Sequence, residues 1–171
     1  MRLGYITSTE RGLTDRVLAD AATRLTRRRY ALTGVVQTNV ARPQRFHCDM
    51  DLCILPDGPV IGITQDLGAN ARGCRLDPGA LEAAVADVSA RLASGRADLL
   101  ILNKFGKHEA EGRGFRPVIA EALALGLPVI LGVNGLNLAA FHAFAGGLAE
   151  ELPADAGRIA DWCALSLADA A

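Results

Sequence analysis

Aromatic side chains are scarce in this chain, at 5% of 171 residues, whereas half of the residues are hydrophobic and alanine, leucine and glycine dominate. Small and branched residues of this kind suit helices packed closely on a sheet. The hydrophobic share also excludes disorder, which needs low hydrophobicity and high net charge. Neither sign of charge prevails: 18 Lys and Arg stand against 19 Asp and Glu, a formal net charge of −1. No global field therefore recruits nucleic acid or an anionic membrane. The four cysteines, Cys48, Cys53, Cys74 and Cys163, form no C-x-x-C pair. Apolar runs are too short to cross a bilayer. No secretory leader is expected, because Met1-Arg2-Leu3-Gly4 passes directly into a short apolar segment without a longer h-region. The expectation is a soluble, cytoplasmic protein with reduced thiols, no membrane insertion and no nucleic-acid partner. Repeats, low-complexity tracts and linkers are also lacking, so residues 1–171 read as one domain.

What the chain does have is strands alternating with helices. Residues 3–7 read as a first strand, followed by a polar turn and a helix running to about Arg29. Val17, Leu18, Ala21, Ala22 and Leu25 give that helix an apolar face. Thr14 or Asp15 is its expected N-cap. Residues 32–37 form a second strand. Two further strands, 47–55 and 60–65, meet at the turn Pro56-Asp57-Gly58-Pro59. Asp77 in N-cap position and Pro78 at the first helical position open a long helix that Gly95 ends. A strand over 99–102, a helix closed by Gly126, a strand over 128–133 and two C-terminal helices complete the chain. The first of these carries Leu138, Phe141 and Leu148; the second carries Ile159, Trp162 and Cys163. This order indicates a three-layer α/β domain with a mostly parallel sheet.

Residues 99–116 concentrate the chemistry. Four apolar residues, 99–102, read as a strand buried on both faces. They stop at Asn103-Lys104, where a loop begins that carries Lys104, Lys107, His108, Glu109, Glu111, Arg113 and Arg116. Open α/β sheets bind ligands outside the carboxyl ends of their strands. Here one strand after another ends in an uncharged polar residue: Thr7, Gln37, Gln65, Asn103 and Asn134. Together with the first helix's N-terminus and nearby cations, such a crevice suits an anion. Polar residues also end strands wherever a chain turns into solvent, so both readings stay open.

The first strand, turn and helix invite comparison with the phosphate-binding loop G-x-x-x-x-G-K-[ST]. On that template Thr7 replaces the first glycine, Gly12 matches the second, Leu13 replaces the lysine and Thr14 keeps the hydroxyl. The later strand, which in such enzymes ends in carboxylates that hold metal and activate water, ends here in Asn103-Lys104. The phosphate-binding loop is degenerate on this reading. The candidate ligand-binding set is therefore Thr9, Glu10, Arg11 and Gly12 in the turn, Thr14 and Asn103 as neutral hydrogen-bonding groups, and Lys104, Lys107 and Arg113 as cations.

The order of elements resembles the small nucleoside-triphosphatase family first known from thermophiles, whose human relatives are described as cancer-related. The similar segments are the N-terminal strand–turn–helix, Gly73-Cys74-Arg75-Leu76-Asp77, residues 97–107 and residues 126–131. In wording, NKFGKHEAEGRGFR, GCRLD and CDMDLCILPDG more closely resemble a bacterial domain-of-unknown-function family often encoded beside molybdate-transport genes. The resemblance implies a P-loop-like fold and a molybdenum-related context. Leu13, Asn103 and Lys104 depart from the triphosphatase pattern, so its catalytic roles are not carried onto them.

In an extended strand His47, Asp49, Asp51 and Cys53 share one face, a group of possible ligands without an established metal spacing. Buried cysteines acting as small hydrophobes are the commoner case. Cys74 or Cys48 with His47, His108 or His142 is a conceivable Cys–His pair. No motif specifies a cofactor. Two functions remain in play: a non-hydrolytic accessory protein binding a small anion, either a molybdate-like oxyanion or a nucleotide, and an active nucleoside triphosphatase with a rearranged site. Without the loop lysine and both carboxylates, Mg²⁺–triphosphate is poorly held. The first reading is preferred.

Overall fold

The computed structural model describes residues 2–40, 48–65 and 75–168. Among these, seven strands form one sheet: β1 (Leu3–Ile6), β2 (Leu32–Val40), β3 (Asp49–Ile54), β4 (Val60–Gly62), β5 (Leu99–Phe105), β6 (Val129–Val133) and β7 (Ala149–Glu151). Their order across the sheet is β4-β3-β2-β5-β6-β1-β7. β1, β2, β5, β6 and β7 run parallel, whereas β3 pairs antiparallel with both β2 and β4. The expected α/β architecture with a mostly parallel sheet is present. β5 lies in the interior between β2 and β6, and Leu99, Leu100, Ile101 and Leu102 are all buried. Covering both faces of a parallel strand explains why it reads as an unbroken apolar run.

Helices cover both faces. α1 (Leu13–Arg27) and α6 (Ala156–Ala168) bury Leu18, Leu25, Ile159 and Cys163 against Ile6, Ile101 and Ile130. On the other face α2 (Pro78–Ala93), α4 (Arg116–Ala124) and α5 (Leu138–Ala145) bury Leu81, Val88, Val118, Ile119 and Phe141 against Leu100, Leu102 and Leu131. A short helix, α3 (Lys107–Ala110), follows β5. At the start of α2 the Asp77 carboxylate accepts a hydrogen bond from the Ala80 N–H at 3.0 Å, as its N-cap position requires.

Three local expectations are corrected. The N-cap of α1 is Gly12 rather than Thr14 or Asp15, with φ 75° and no side-chain cap. A left-handed residue is needed to turn the chain into the helix there, and glycine adopts that conformation without a Cβ penalty. The same helix ends at Arg27, two residues earlier than expected. Leu148 lies beyond α5, which Gly146 closes with φ 57°, and the chain then forms the edge strand β7 beside β1.

One feature of the sheet prepares the site. β2 pairs with β5 only from Leu32 to Val35, but its pairing with β3 continues to Val40. Its last three residues, Thr38, Asn39 and Val40, are exposed. The β2–β3 ladder thus projects past the carboxyl end of β5 and faces the start of α1.

Candidate functional site

Between that projecting ladder and α1 lies a crevice of about 740 Å³, within the size range of small-molecule sites. Gly12 lines it from the N-cap of α1 and Asp15, Arg16 and Ala19 from the helix itself, their spacing placing them along one side. Gln37, Thr38 and Asn39 line it from β2, Cys48 and Met50 from around the start of β3, and Lys104 from the end of β5. Arg11, Thr64 and Arg75 complete the wall.

Cations prevail in this lining. Lys104 is half-buried and has no ion-pair partner among the described residues. Arg16 reaches Glu10 at 2.6 Å in an exposed pair. The Arg75 guanidinium donates to the Gln65 carbonyl from Nε at 3.4 Å and Nη2 at 3.3 Å, while the Gln65 N–H donates to the Arg75 carbonyl at 2.7 Å. The turn before α1 is ordered locally: the Glu10 N–H donates to Ser8 Oγ at 3.0 Å, and the first helical bond runs from the Arg16 N–H to the Gly12 carbonyl at 3.1 Å. The amides of Thr14 and Asp15 thus belong to the helix's first turn, where N–H groups lack intrahelical partners and favour negative charge.

Asp15 is the lining's one carboxylate among the described residues. Asn103 Nδ2 donates to its Oδ1 at 2.7 Å, and Asn39 Nδ2 donates to its Oδ2. Asn39 Oδ1 in turn accepts from Gln37 Nε2 at 2.8 Å. A ladder of amides from the ends of β2 and β5 therefore fixes an acid on α1. Asn103 is 1% exposed, and its Oδ1 has no hydrogen-bond partner among the described residues. Gly132 on β6 leaves room for this arrangement: a Cβ there would lie 2.6 Å from Thr14 Cγ2 and 2.8 Å from Asn103 Oδ1.

Of the residues singled out from the sequence, Arg11, Gly12 and Lys104 meet in the crevice. Asn103 lies beneath it and reaches it through Asp15, and Thr14 packs beside Asn103 over Gly132. Thr9 and Glu10 are exposed in the turn. Lys107 and Arg113 do not line the crevice; both pair with Glu111, Lys107 at 3.8 Å. The Arg113 hydrogen bond holds the Glu111 carboxyl below its ordinary range. Leu13, set against the lysine of the phosphate-binding template in the sequence comparison, is half-buried and packs against the apolar core between α1 and α6. Asn134 caps its own turn, its Oδ1 accepting the Leu136 N–H at 3.0 Å. Sequence reasoning missed Asp15 as a site residue, along with Arg16 and Arg75.

Metal and nucleophile readings find little here. Among the described residues no three His, Cys, Asp or Glu side chains come together as a metal site. Cys53 packs with the α1–α6 core, while Met50 and Leu52 pack on the opposite side. Cys163 is buried, and burial pushes its thiol pKa up to about 12. His142 packs edge-on to Tyr5 at 5.5 Å, on α5. His47 and Cys74 lie outside the described residues. No helix among the described residues is long and apolar enough to cross a membrane.

Residues 3–162 match the family described as "Protein of unknown function (DUF2478)". The chain belongs to that family. It is also similar to the molybdenum import ATP-binding protein ModC 2 of Bradyrhizobium diazoefficiens, with 37% identity over 151 residues. That match covers 86% of this chain but 16% of the relative, so the chain spans about a sixth of that protein's length. Among solved structures, the solution structure of a human cancer-related nucleoside triphosphatase superposes with a TM-score of 0.69. The superposition covers 96% of this chain and 97% of the human one at 17% identity. This DUF2478 chain accordingly shares the α/β fold of that human nucleoside triphosphatase, and the crevice lies where its first helix begins.

Proposed function

We propose that the chain binds a nucleotide-class anion in this crevice and holds it without turnover. The observation that carries the reading is the lining itself: Arg11, Arg16, Arg75 and Lys104 surround about 740 Å³ beside a helix N-terminus. That charge and size suit a phosphate-bearing ligand larger than a simple oxyanion. The ATP-binding relative and the triphosphatase-like fold support the same class of ligand.

Electrostatics at the site opposes turnover. Phosphoryl transfer is catalysed mainly by fixed positive charge and metal around the transferred group. Here Leu13 is apolar and packs half-buried against the core, so it brings no cation to the start of α1. The end of β5 presents an amide whose hydrogen bond is spent on Asp15. Lys104, next along β5, supplies a cation from a different place. Similarity to a molybdenum import ATP-binding protein supports an accessory role in molybdenum metabolism.

A melting-temperature panel tests the reading, using ATP, ADP, GTP and AMP with EDTA and with Mg²⁺. A ligand at a hundred times its Kd adds about 2.7 kcal/mol, which for a domain of this size shifts Tm by roughly 5–10 °C. A shift with at least one nucleotide in EDTA, without phosphate release over hours, is expected. No shift with any nucleotide, or robust Mg²⁺-dependent phosphate release, contradicts it.

A further inference from the structure

We propose that Asp15 makes the crevice selective for anions that also bring a hydroxyl donor, and so rejects fully ionised oxyanions such as sulfate and molybdate. The inference rests on the nucleotide reading and deepens it. An anion site lined by cations gains nothing from an acid in its wall, yet Asp15 stands among Arg11, Arg16 and Lys104. Its presence is not incidental, because two strand ends are committed to holding it. Asn103 and Asn39 each donate an amide N–H to one of its oxygens, and Gln37 holds Asn39.

The anchor is stiff. Asn103 and Gln37 are 1% and 4% exposed. Turning Asn103 away would leave a second buried polar group unpaired beside its Oδ1, which has no partner among the described residues. Among the described residues the donors to Asp15 are the amides of Asn39 and Asn103, one on each oxygen, which leaves its carboxylate lone pairs to accept a further bond. A ligand filling the crevice meets those lone pairs. Sulfate and molybdate are fully ionised at neutral pH and offer only acceptors. Against Asp15 they meet like charge and an unmatched acceptor, a built-in repulsive element of the kind that creates specificity. Inorganic phosphate keeps a proton at neutral pH and can donate it. A nucleotide brings ribose hydroxyls, donors of the same kind that an acidic residue accepts in dinucleotide sites. The common requirement is an O–H beside the negative charge.

Isothermal titration of the full chain in EDTA tests this with five ligands: ATP, 2′,3′-dideoxy-ATP, inorganic phosphate, sulfate and molybdate. A hydrogen bond to a charged group corresponds to roughly a tenfold to hundredfold difference in affinity. Sulfate and molybdate should bind more weakly than inorganic phosphate by about that factor. If the ribose is the donor, dideoxy-ATP loses the same factor relative to ATP; if the phosphate proton is, the two bind alike while sulfate and molybdate stay weak. Asp15→Asn should bring sulfate to within a few-fold of phosphate. The wild-type ratios stand as a test even if that variant does not fold. Sulfate or molybdate binding as tightly as phosphate and ATP, or a ratio unchanged in Asp15→Asn, overturns the selectivity while leaving nucleotide binding intact. Silence from ATP and phosphate together overturns the nucleotide reading first.

Discussion

Replacing Asn103 by aspartate keeps the shape of the side chain and exchanges the donor facing Asp15 for an acceptor. The two groups are 2.7 Å apart, and Asn103 is 1% exposed. At that separation two unit charges repel by about 6 kcal/mol with an effective dielectric near 20. Protonating the pair is cheaper. Raising a carboxyl from its ordinary value near 4 so that it keeps a proton at pH 7 costs about 4 kcal/mol. The protonated aspartate then donates its O–H to Asp15 and restores the bond. Asn103→Asp should therefore lose about 4 kcal/mol at pH 7, a large part of a typical domain's 5–15 kcal/mol. The sign follows from linkage. The shared proton is held more tightly in the folded protein than in the unfolded chain, so the penalty is absent near pH 4 and grows as pH rises toward the folded value. Between pH 7 and pH 5 the gap to wild type should shrink by about 1.4 kcal/mol per pH unit. Urea denaturation followed by circular dichroism across that range measures it. Equal stability at pH 7, or a gap that does not change with pH, would refute the Asp15–Asn103 bond and the anchored acid built on it.

Gly34→Ala should abolish folding: the residue has φ +118°, and an added Cβ would lie 1.9 Å from the Ile101 carbonyl oxygen inside the β2–β5 pair. Failure to recover soluble, cooperatively melting protein is the expected result, and a normal melting curve would contradict that close approach. Cys163 should resist iodoacetamide at pH 8, because burial raises its pKa to about 12 and leaves the thiol protonated. Peptide mass spectrometry should find it labelled only after urea is added; labelling in the native protein as fast as a free thiol would count against the packing of α6.

Much of the sheet could be read from residue order because burial on both faces leaves an unbroken apolar run, as at Leu99, Leu100, Ile101 and Leu102. The start of α2 was equally legible, since Asp77 and Pro78 act through the local backbone. β7 was not, because Ala149-Glu150-Glu151 carries no apolar period and is held from outside: it pairs with β1, and Tyr5 Oη donates to Glu151 at 3.1 Å. The same holds for the site. Arg11, Gly12 and Lys104 lie in or next to recognisable strand ends and turns. Asp15 reads locally as a helix cap, and only the fold brings it to Asn39 and Asn103, 24 and 88 residues away in sequence. Arg75 joins the wall through the bridge between Thr64 and Leu76, a contact that no pattern in either segment announces.

The central claim is that Lys104, near the end of β5, supplies positive charge to a bound nucleotide, and that Leu13, aligned with the lysine of the phosphate-binding template, contributes nothing to that binding. Isothermal titration of ATP in EDTA into wild type, Lys104→Ala and Leu13→Ala measures this directly. Loss of a charged hydrogen-bond partner corresponds to roughly a tenfold to hundredfold weakening, expected for Lys104→Ala, with Leu13→Ala close to wild type. Equal ATP affinity in wild type and Lys104→Ala, or binding that appears only when Mg²⁺ is added, would contradict the account.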